Sequence, residues 1–307
     1  MTRRIAIAVP ARNEAERIDA CLEALANLKT DHRVGGVTLV VAVNNSADAT
    51  VSRARGFGRR WRGNLDIRKL TLPADRAHAG WARRLALDAA SLHLRRPRDV
   101  LMSTDADTIV DPNWLVATLD HLDAGYDAVA GLARLDPREL RALPREHRRR
   151  LALIRRYQNA LTWLETTDGQ EDGLARHSYE GGASIALTLR AYRLIGGAPT
   201  PPVGEDKALF SAIRAAGGKV RHARDVAVRT SARLKGRAPG GASDTLALWG
   251  RQNDNEPIAH LANVSAGVDQ ARHGRQTLSF AELADETRRV RAMIERARRA
   301  RTFNAVG

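Results

Sequence analysis

The chain has 307 residues, 43% hydrophobic and only 4% aromatic, which allows one large or two small domains around a core of Ala, Leu, Val and Ile. Its longest apolar runs, such as residues 36–43, are far too short to span a bilayer, and the single Cys21 excludes both an internal disulfide and a cysteine-rich zinc site. The net charge of +15 comes from 50 basic residues, nearly all Arg and spread along the whole length; without a helix-turn-helix, a finger or an aromatic-laced basic motif beside them, nucleic acid is not expected as a partner.

The N-terminus, MTRRIAIAVPARNE, sets basic residues before an apolar run. That run meets Arg12 and Glu14 where a cleavage region would be needed, so it reads as a first strand, and the cysteine usage points to a cytoplasmic location. A helix is expected over 14–28, with Ile18, Cys21, Leu22, Leu25 and Leu28 on one face. Then come a strand GVTLVVAVNN (36–45), a helix TVSRARGFGRRW (50–61), a short strand LDIRKLTL (65–72), a helix GWARRLALDAASLHL (80–94) and a strand DVLMSTDAD (99–107). Strands alternating with helices define an α/β fold, and the polar strand ends can line the crevice in which open α/β sheets bind ligands.

From about 133 to 178 the pattern turns basic and helical, interrupted at Pro144, and this region is expected beside the sheet as part of a second substrate's pocket. SYEGGASIALTLRAYRLIGG (178–197) returns to strand, tight turn and helix, and 203–231 supplies another helix and strand. RLKGRAPGGASD (233–244) is a glycine-rich basic loop, and 280–301 forms an amphipathic C-terminal helix. The expected division is a catalytic region over 1–245, with 133–178 as a helical insertion, and a helical extension over 246–307.

The chemistry concentrates in LMSTDADTIVDPNWL (101–115). In an extended segment residues two apart point to the same side, so Asp105 and Asp107 converge; left unpaired they repel, and a divalent cation removes that cost. Hard oxygen ligands suit Mg2+ or Mn2+, which in turn hold a diphosphate. The alternative is a solvated turn in which Asp111 caps a helix.

Five stretches stand in an order that resembles inverting family 2 glycosyltransferases of the glycosyltransferase A fold: VPARNEAERIDACLEAL, VVAVNNSADAT, STDADTIVDPNWL, EGGASIALTLRAYRLIGG and GEDKALFSAIRAAGG. The resemblance covers about residues 4–245. It implies a Rossmann-like mixed central sheet flanked by helices, and a nucleotide-sugar donor, UDP- or GDP-linked, held through Asp105 and Asp107 with Mg2+ or Mn2+. By the same resemblance Pro10, Arg12 and Glu14 lie where the first strand meets the nucleotide, although Glu14 also suits the first turn of a helix. The family's second strand commonly ends in paired acids, whereas this chain has Asn44 and Asn45, so Asn45 is the donor-side residue there and the donor's identity stays open. Arg76, His78, Gly80 and Arg83 match the segment before the acidic motif, with Gly80 and Arg83 expected against the diphosphate.

Asp206 matches the general base that takes the proton from the acceptor hydroxyl, with Glu205 contacting the acceptor or orienting the site, the two roles being exchangeable. Gly181, Gly182 and Ala183, after Glu180, would form a tight acceptor-side turn. Arg233 and Arg237 would close over the diphosphate, with Gly240 and Gly241 as a hinge. His222 is left without a role, and Trp114 and Trp163 read as core. The acceptor is a small molecule, a glycan or a lipid-linked sugar. Rival readings are a nucleotidyltransferase, whose glycine-rich signature after strand one is missing from VPARNEAER, and a basic scaffold. The scaffold would lie on anionic lipid through Leu283, Val290, Met293, Ile294 and Ala297, although such a stripe also packs on its own domain or on a second copy in a homodimer.

Overall fold

The computed structural model describes residues 2–167, 177, 179–258 and 278–304. The chain divides into two compact units, one of Met1–Asp136, Tyr179–Ser231 and Gly236–Gly241, the other of Pro137–Ser178, Ala232–Lys235 and Ala242–Gly307. The helical insertion and the C-terminal extension, set apart as separate pieces on sequence, thus share one unit.

The first unit holds strands β1 (Arg3–Ala11), β2 (Val34–Asn44), β3 (Asn64–Leu70), β4 (Val100–Ser103), β5 (Thr108–Val110), β6 (Ala128–Leu135), β7 (Ile185–Thr188) and β8 (Val220–Thr230). They form one mixed sheet in the order β3-β2-β1-β4-β7-β6-β8-β5. The pairs β1/β2, β2/β3, β1/β4 and β6/β8 are parallel, while β4/β7, β6/β7 and β5/β8 are antiparallel. Its helices are α1 (Ile18–Ala26), α2 (Thr50–Phe57), α3 (Ala79–Ser91), α4 (Trp114–Asp123), α7 (Leu189–Leu194) and α8 (Glu205–Ala215). The second unit contains α5 (Pro137–Ala142), α6 (Arg145–Thr167), α9 (Ala242–Arg251) and α10 (Phe280–Asn304).

Strand alternation sorts the core into two layers. Ile5, Ile7 and Val9 of β1 face one side with α1, α2 and α4, and Ala6 and Ala8 face the other with α3, α7 and α8. Small residues on the second face let α3 approach through Ala86, Ala89 and Ala90, which explains how an Ala-rich, aromatic-poor chain still packs densely. Trp114 is fully buried in the first layer, donating from Nε1 to Ser184 Oγ at 2.8 Å.

Four elements lie outside the sequence-based expectation: β5, α4, β6 and α9. β5 has only three residues, too few for any periodicity. β6 is broken by a register shift at Gly131, where an added Cβ would meet Ser184 Oγ, so its outer half alternates poorly. Pro144 separates α5 from α6, as a residue that cannot continue a helix should.

In the second unit α10 packs on α6, and Leu283, Val290 and Ile294 are buried there. The apolar stripe set aside for lipid is therefore filled within its own unit. The side chains of Trp163 and Ala297 lie outside the described residues. Among the described residues, no helix is long and apolar enough to cross a membrane.

The directions of the strands create one functional edge. β1, β2 and β4 all end there at Ala11, Asn44 and Ser103, β7 begins there with Ile185 opposite Ser103, and β8 ends there with Thr230 opposite Thr108.

Candidate active site

The acidic stretch leaves β4 at this edge. Thr104 donates its N–H to Ala8 O at 3.2 Å and its hydroxyl to Ala183 O at 2.8 Å, and Thr108 N–H closes back on Asp105 O at 3.1 Å. The Thr108–Asp105 bond closes residues 105–108 into a turn, so Asp105 and Asp107 stand on a turn and not on the extended segment expected. Asp105 turns to Arg83, whose Nη2 lies 2.8 Å from its Oδ1, while Asp107 accepts a long bond of 3.4 Å from Thr230 Oγ1. Cys21 lies beneath both, its thiol pushed up by burial and then by the charges of Asp107 and Asp105.

Asp105 Oδ1 is taken by Arg83, and Asp107 Oδ1 accepts from Thr230. Two hard carboxylates on one turn fit Mg2+ or Mn2+ sharing its coordination with a diphosphate and water, the usual arrangement for Mg2+. A complete protein cage does not fit: among the described residues no group of three His, Cys, Asp or Glu is placed to hold a metal ion.

Arg83 is the centre of the cluster. It projects from α3 and is 5% exposed. Its Nε donates to Glu205 Oε1 at 3.2 Å, and its Nη1 to Ser103 Oγ and Gly182 O, each at 3.1 Å. Although burial works against its charge, Asp105 and Glu205 hold the guanidinium well above its ordinary pKa. Gly182 is engaged through both its backbone groups, because its N–H donates to Asp206 Oδ2 at 2.8 Å. The other oxygen of Asp206 accepts from Lys207 N–H, also at 2.8 Å. Burial, and then the charge of Glu205, push the Asp206 carboxyl up to about 6, against the opposing pull of Arg83. Asp206 and Glu205 open α8 side by side, so the pair predicted from the sequence stands at this cluster.

The remaining expected residues divide into those near the cluster and those committed elsewhere. Ala183 is buried and takes the Thr104 hydroxyl, and Gly181 lies under Tyr179, whose ring would collide with an added Cβ. Glu180 is saturated by Arg214 at 2.6 Å and His222 at 2.9 Å, which gives His222 a partner and no free role. Gly80 corrects the expectation of room for a diphosphate: its Cβ would sit 2.3 Å from Pro201 O, so the glycine serves packing against residues 200–201. Asn45 is corrected too. Its amide bonds the Leu72 backbone twice, Nδ2 to Leu72 O at 2.8 Å and Leu72 N–H to Oδ1 at 3.0 Å, prolonging the β2/β3 pairing instead of facing a nucleotide.

Arg12 donates to Ala77 O at 3.1 Å, pinning the loop before α3, and Pro10 is half-buried within β1. Glu14 is buried, its N–H on Thr50 Oγ1 at 2.9 Å and its carbonyl taken by Arg17 and Ile18. Arg76 stacks its guanidinium 4.8 Å above the Trp81 ring. Arg233 belongs to the second unit; Arg237 belongs to the first and is exposed.

Sequence reasoning missed Ser103, Thr104, Thr230 and Tyr179. The phenol of Tyr179 is pushed up by desolvation and by the charges of Asp206 and Asp105, and its position just before the Glu-Gly-Gly turn was the available signal. The serine and threonines carry no pattern of their own, since they matter only through register with distant strands.

A mixed sheet with acidic and arginine side chains gathered at one edge is the glycosyltransferase A fold. The family model described as Glycosyl transferase family 2 matches residues 6–177. The chain belongs to that family and is a glycosyltransferase. No curated protein sequence matches it. Among solved structures it is similar to S. aureus TarS 1-349 in complex with UDP-GlcNAc, with a TM-score of 0.54 and 14% identity over 96% of this chain and 81% of that one. It is also similar to the mannosyltransferase PcManGT from Pyrobaculum calidifontis in complex with GDP-Man and Mn2+, with a TM-score of 0.52 and 19% identity over 99% and 85%. Against the longer S. aureus TarS chain the match covers 75% of this chain and 37% of that one, at a TM-score of 0.51 and 14% identity.

Proposed function

We propose that this glycosyltransferase moves a sugar from a UDP- or GDP-linked donor to an acceptor hydroxyl with inversion, and that Asp206 is the general base. The observation that carries the reading is the buried carboxyl of Asp206 held by two backbone N–H groups at the same strand-end cluster as Asp105, where burial and the charge of Glu205 push its pKa up. A base poised near neutral pH combines the right protonation state with real proton affinity. TarS with UDP-GlcNAc and PcManGT with GDP-Man and Mn2+ support a nucleotide-sugar donor on this fold.

The acceptor oxygen attacks the anomeric carbon as Asp206 takes its proton, and the bond from that carbon to the diphosphate oxygen breaks on the opposite side. Gly182 and Lys207 N–H groups fix the two Asp206 oxygens, so one lone pair stays directed at the acceptor. Asp105 and Asp107 would hold Mg2+ or Mn2+, which supplies positive charge for the departing diphosphate. Arg237, exposed on its loop, is assigned to the donor's phosphates.

Calorimetric titration of UDP and GDP, with and without Mn2+, tests this reading on the wild type and on the Asp105→Ala, Asp107→Ala double variant. One nucleotide should bind in a Mn2+-dependent way and lose that binding in the variant. Equal binding with and without metal would remove the acidic turn from the donor site.

A further inference from the structure

We propose that Arg83 is a positioning residue and not a ligand of the donor: it locks the Asp105 turn and the Gly181–Ala183 turn behind the base into one frame. The proposal rests on the reading of Asp206 as base and of the Asp105 turn as donor side.

A guanidinium has five N–H donors in a fixed fork. In Arg83, Nε serves Glu205, Nη1 serves Ser103 Oγ and Gly182 O, and Nη2 serves Asp105, which commits four of the five. Those partners come from the end of β4, the turn before β7 and the start of α8, while the arginine itself comes from α3. Four segments remote in sequence therefore meet on one planar group. With the side chain 5% exposed, reaching a diphosphate would require breaking this set.

Gly182 supplies the independent observation. An added Cβ there would lie 1.9 Å from Nη2, so the guanidinium occupies the space that any side chain at this position would need. The residue whose carbonyl accepts from Arg83 also donates its N–H to Asp206, so two adjacent peptide units joined at the Gly182 Cα carry the two bonds. A displacement of Arg83 therefore moves Gly182, whose N–H holds the base. Lysine cannot substitute, because a compact ammonium cannot reach four partners spread around a plane.

The test compares Arg83→Lys, Gly182→Ala and Ser103→Ala with the wild type. Turnover is read as nucleoside diphosphate released from UDP-glucose, UDP-GlcNAc or GDP-mannose with Mn2+, water taking the acceptor's place. Affinity is read by calorimetry with UDP and GDP, and the frame itself by hydrogen exchange at the Gly182 amide in the ligand-free protein. Arg83→Lys and Gly182→Ala should lower kcat about 30-fold or more, and Ser103→Ala about 3- to 10-fold, with donor KM and nucleotide Kd within about threefold of wild type. Exchange at Gly182 should rise about tenfold or more in each variant. The Arg83→Lys, Ser103→Ala double variant should be no slower than Arg83→Lys, since both act on one device.

Weakening of Kd by about tenfold with kcat preserved would make Arg83 a donor ligand and overturn the proposal. So would unchanged kcat and unchanged Gly182 exchange in all three variants. Should Arg83→Lys or Gly182→Ala fail to fold, Ser103→Ala keeps every charge and decides by the same readouts. Asp206→Asn, run in parallel, separates the underlying reading: full turnover there retires the base, and wild type that binds neither UDP nor GDP retires the donor side. In either case the Gly182 exchange in ligand-free protein still decides whether Arg83 holds the turn.

Discussion

Arg83 in the first unit and Arg150 in the second are both buried among carboxylates, and the two are balanced differently. In the helical unit Arg150 donates to Trp249 O and to Asp254 Oδ1, both at 2.7 Å, lies 2.9 Å from Glu146, and covers the Phe280 ring at 4.9 Å. Arg149 shares Glu146 and Asp254, so two cations face two anions. Around Arg83 stand Asp105, Glu205 and Asp206, three acids for one guanidinium, and burial first, then the charge of Glu205, raises the Asp206 pKa. A charge-balanced cluster fastens helices, whereas a cluster with more acids than cations keeps a proton-accepting group in reserve. That surplus marks the site more clearly than any single motif does.

Removing the surplus acid should have the largest effect. Asp206→Asn is expected to lower transfer by about 10³-fold or more while leaving nucleotide affinity within about threefold, measured by product release and calorimetry. Wild-type kcat/KM should rise with pH through about 6, because the base of the free enzyme must be ionised. A profile flat between pH 5 and about 8 would assign the base elsewhere.

Opening the balanced cluster should cost stability instead. Arg150→Met removes two hydrogen bonds to buried or half-buried acceptors and leaves the Trp249 carbonyl without that donor. The expected loss is about 2–4 kcal/mol, read as a lower midpoint in urea at constant slope. A loss below about 0.5 kcal/mol would place Arg150 among the surface ion pairs that contribute little.

The contrast also explains what the sequence disclosed. β1, β2 and the amphipathic α1 announced themselves through periodicity, and Asp105, Asp107, Glu205 and Asp206 through their match to the ordered motifs of the family. Gly80 and Asn45 were assigned to the donor by their match to segments of the family; the structure uses one for packing on Pro201 and the other to extend a strand pair. Neither use is visible locally, since each depends on a segment far along the chain. The same holds for Ser103 and Gly182, whose importance exists only once α3 places Arg83 between them.

The smallest expected effect is a gain. With its folded pKa near 6, above the ordinary value of about 3.9, Asp206 binds its proton more tightly in the folded state than in the unfolded one. Its contribution to stability is therefore best at low pH and is lost as pH rises from about 4 to about 6, where the native state must release the proton into an acidic neighbourhood. Asparagine avoids that cost. Asp206→Asn should match wild type near pH 4 and exceed it by about 1–3 kcal/mol above pH 6, less whatever the lost acceptor for Gly182 and Lys207 N–H removes. Urea melts at both pH values check this. A variant equally destabilised at pH 4 and at pH 8 would show that Asp206 holds the fold through its hydrogen bonds alone, and that the charge surplus around Arg83 carries no energetic cost.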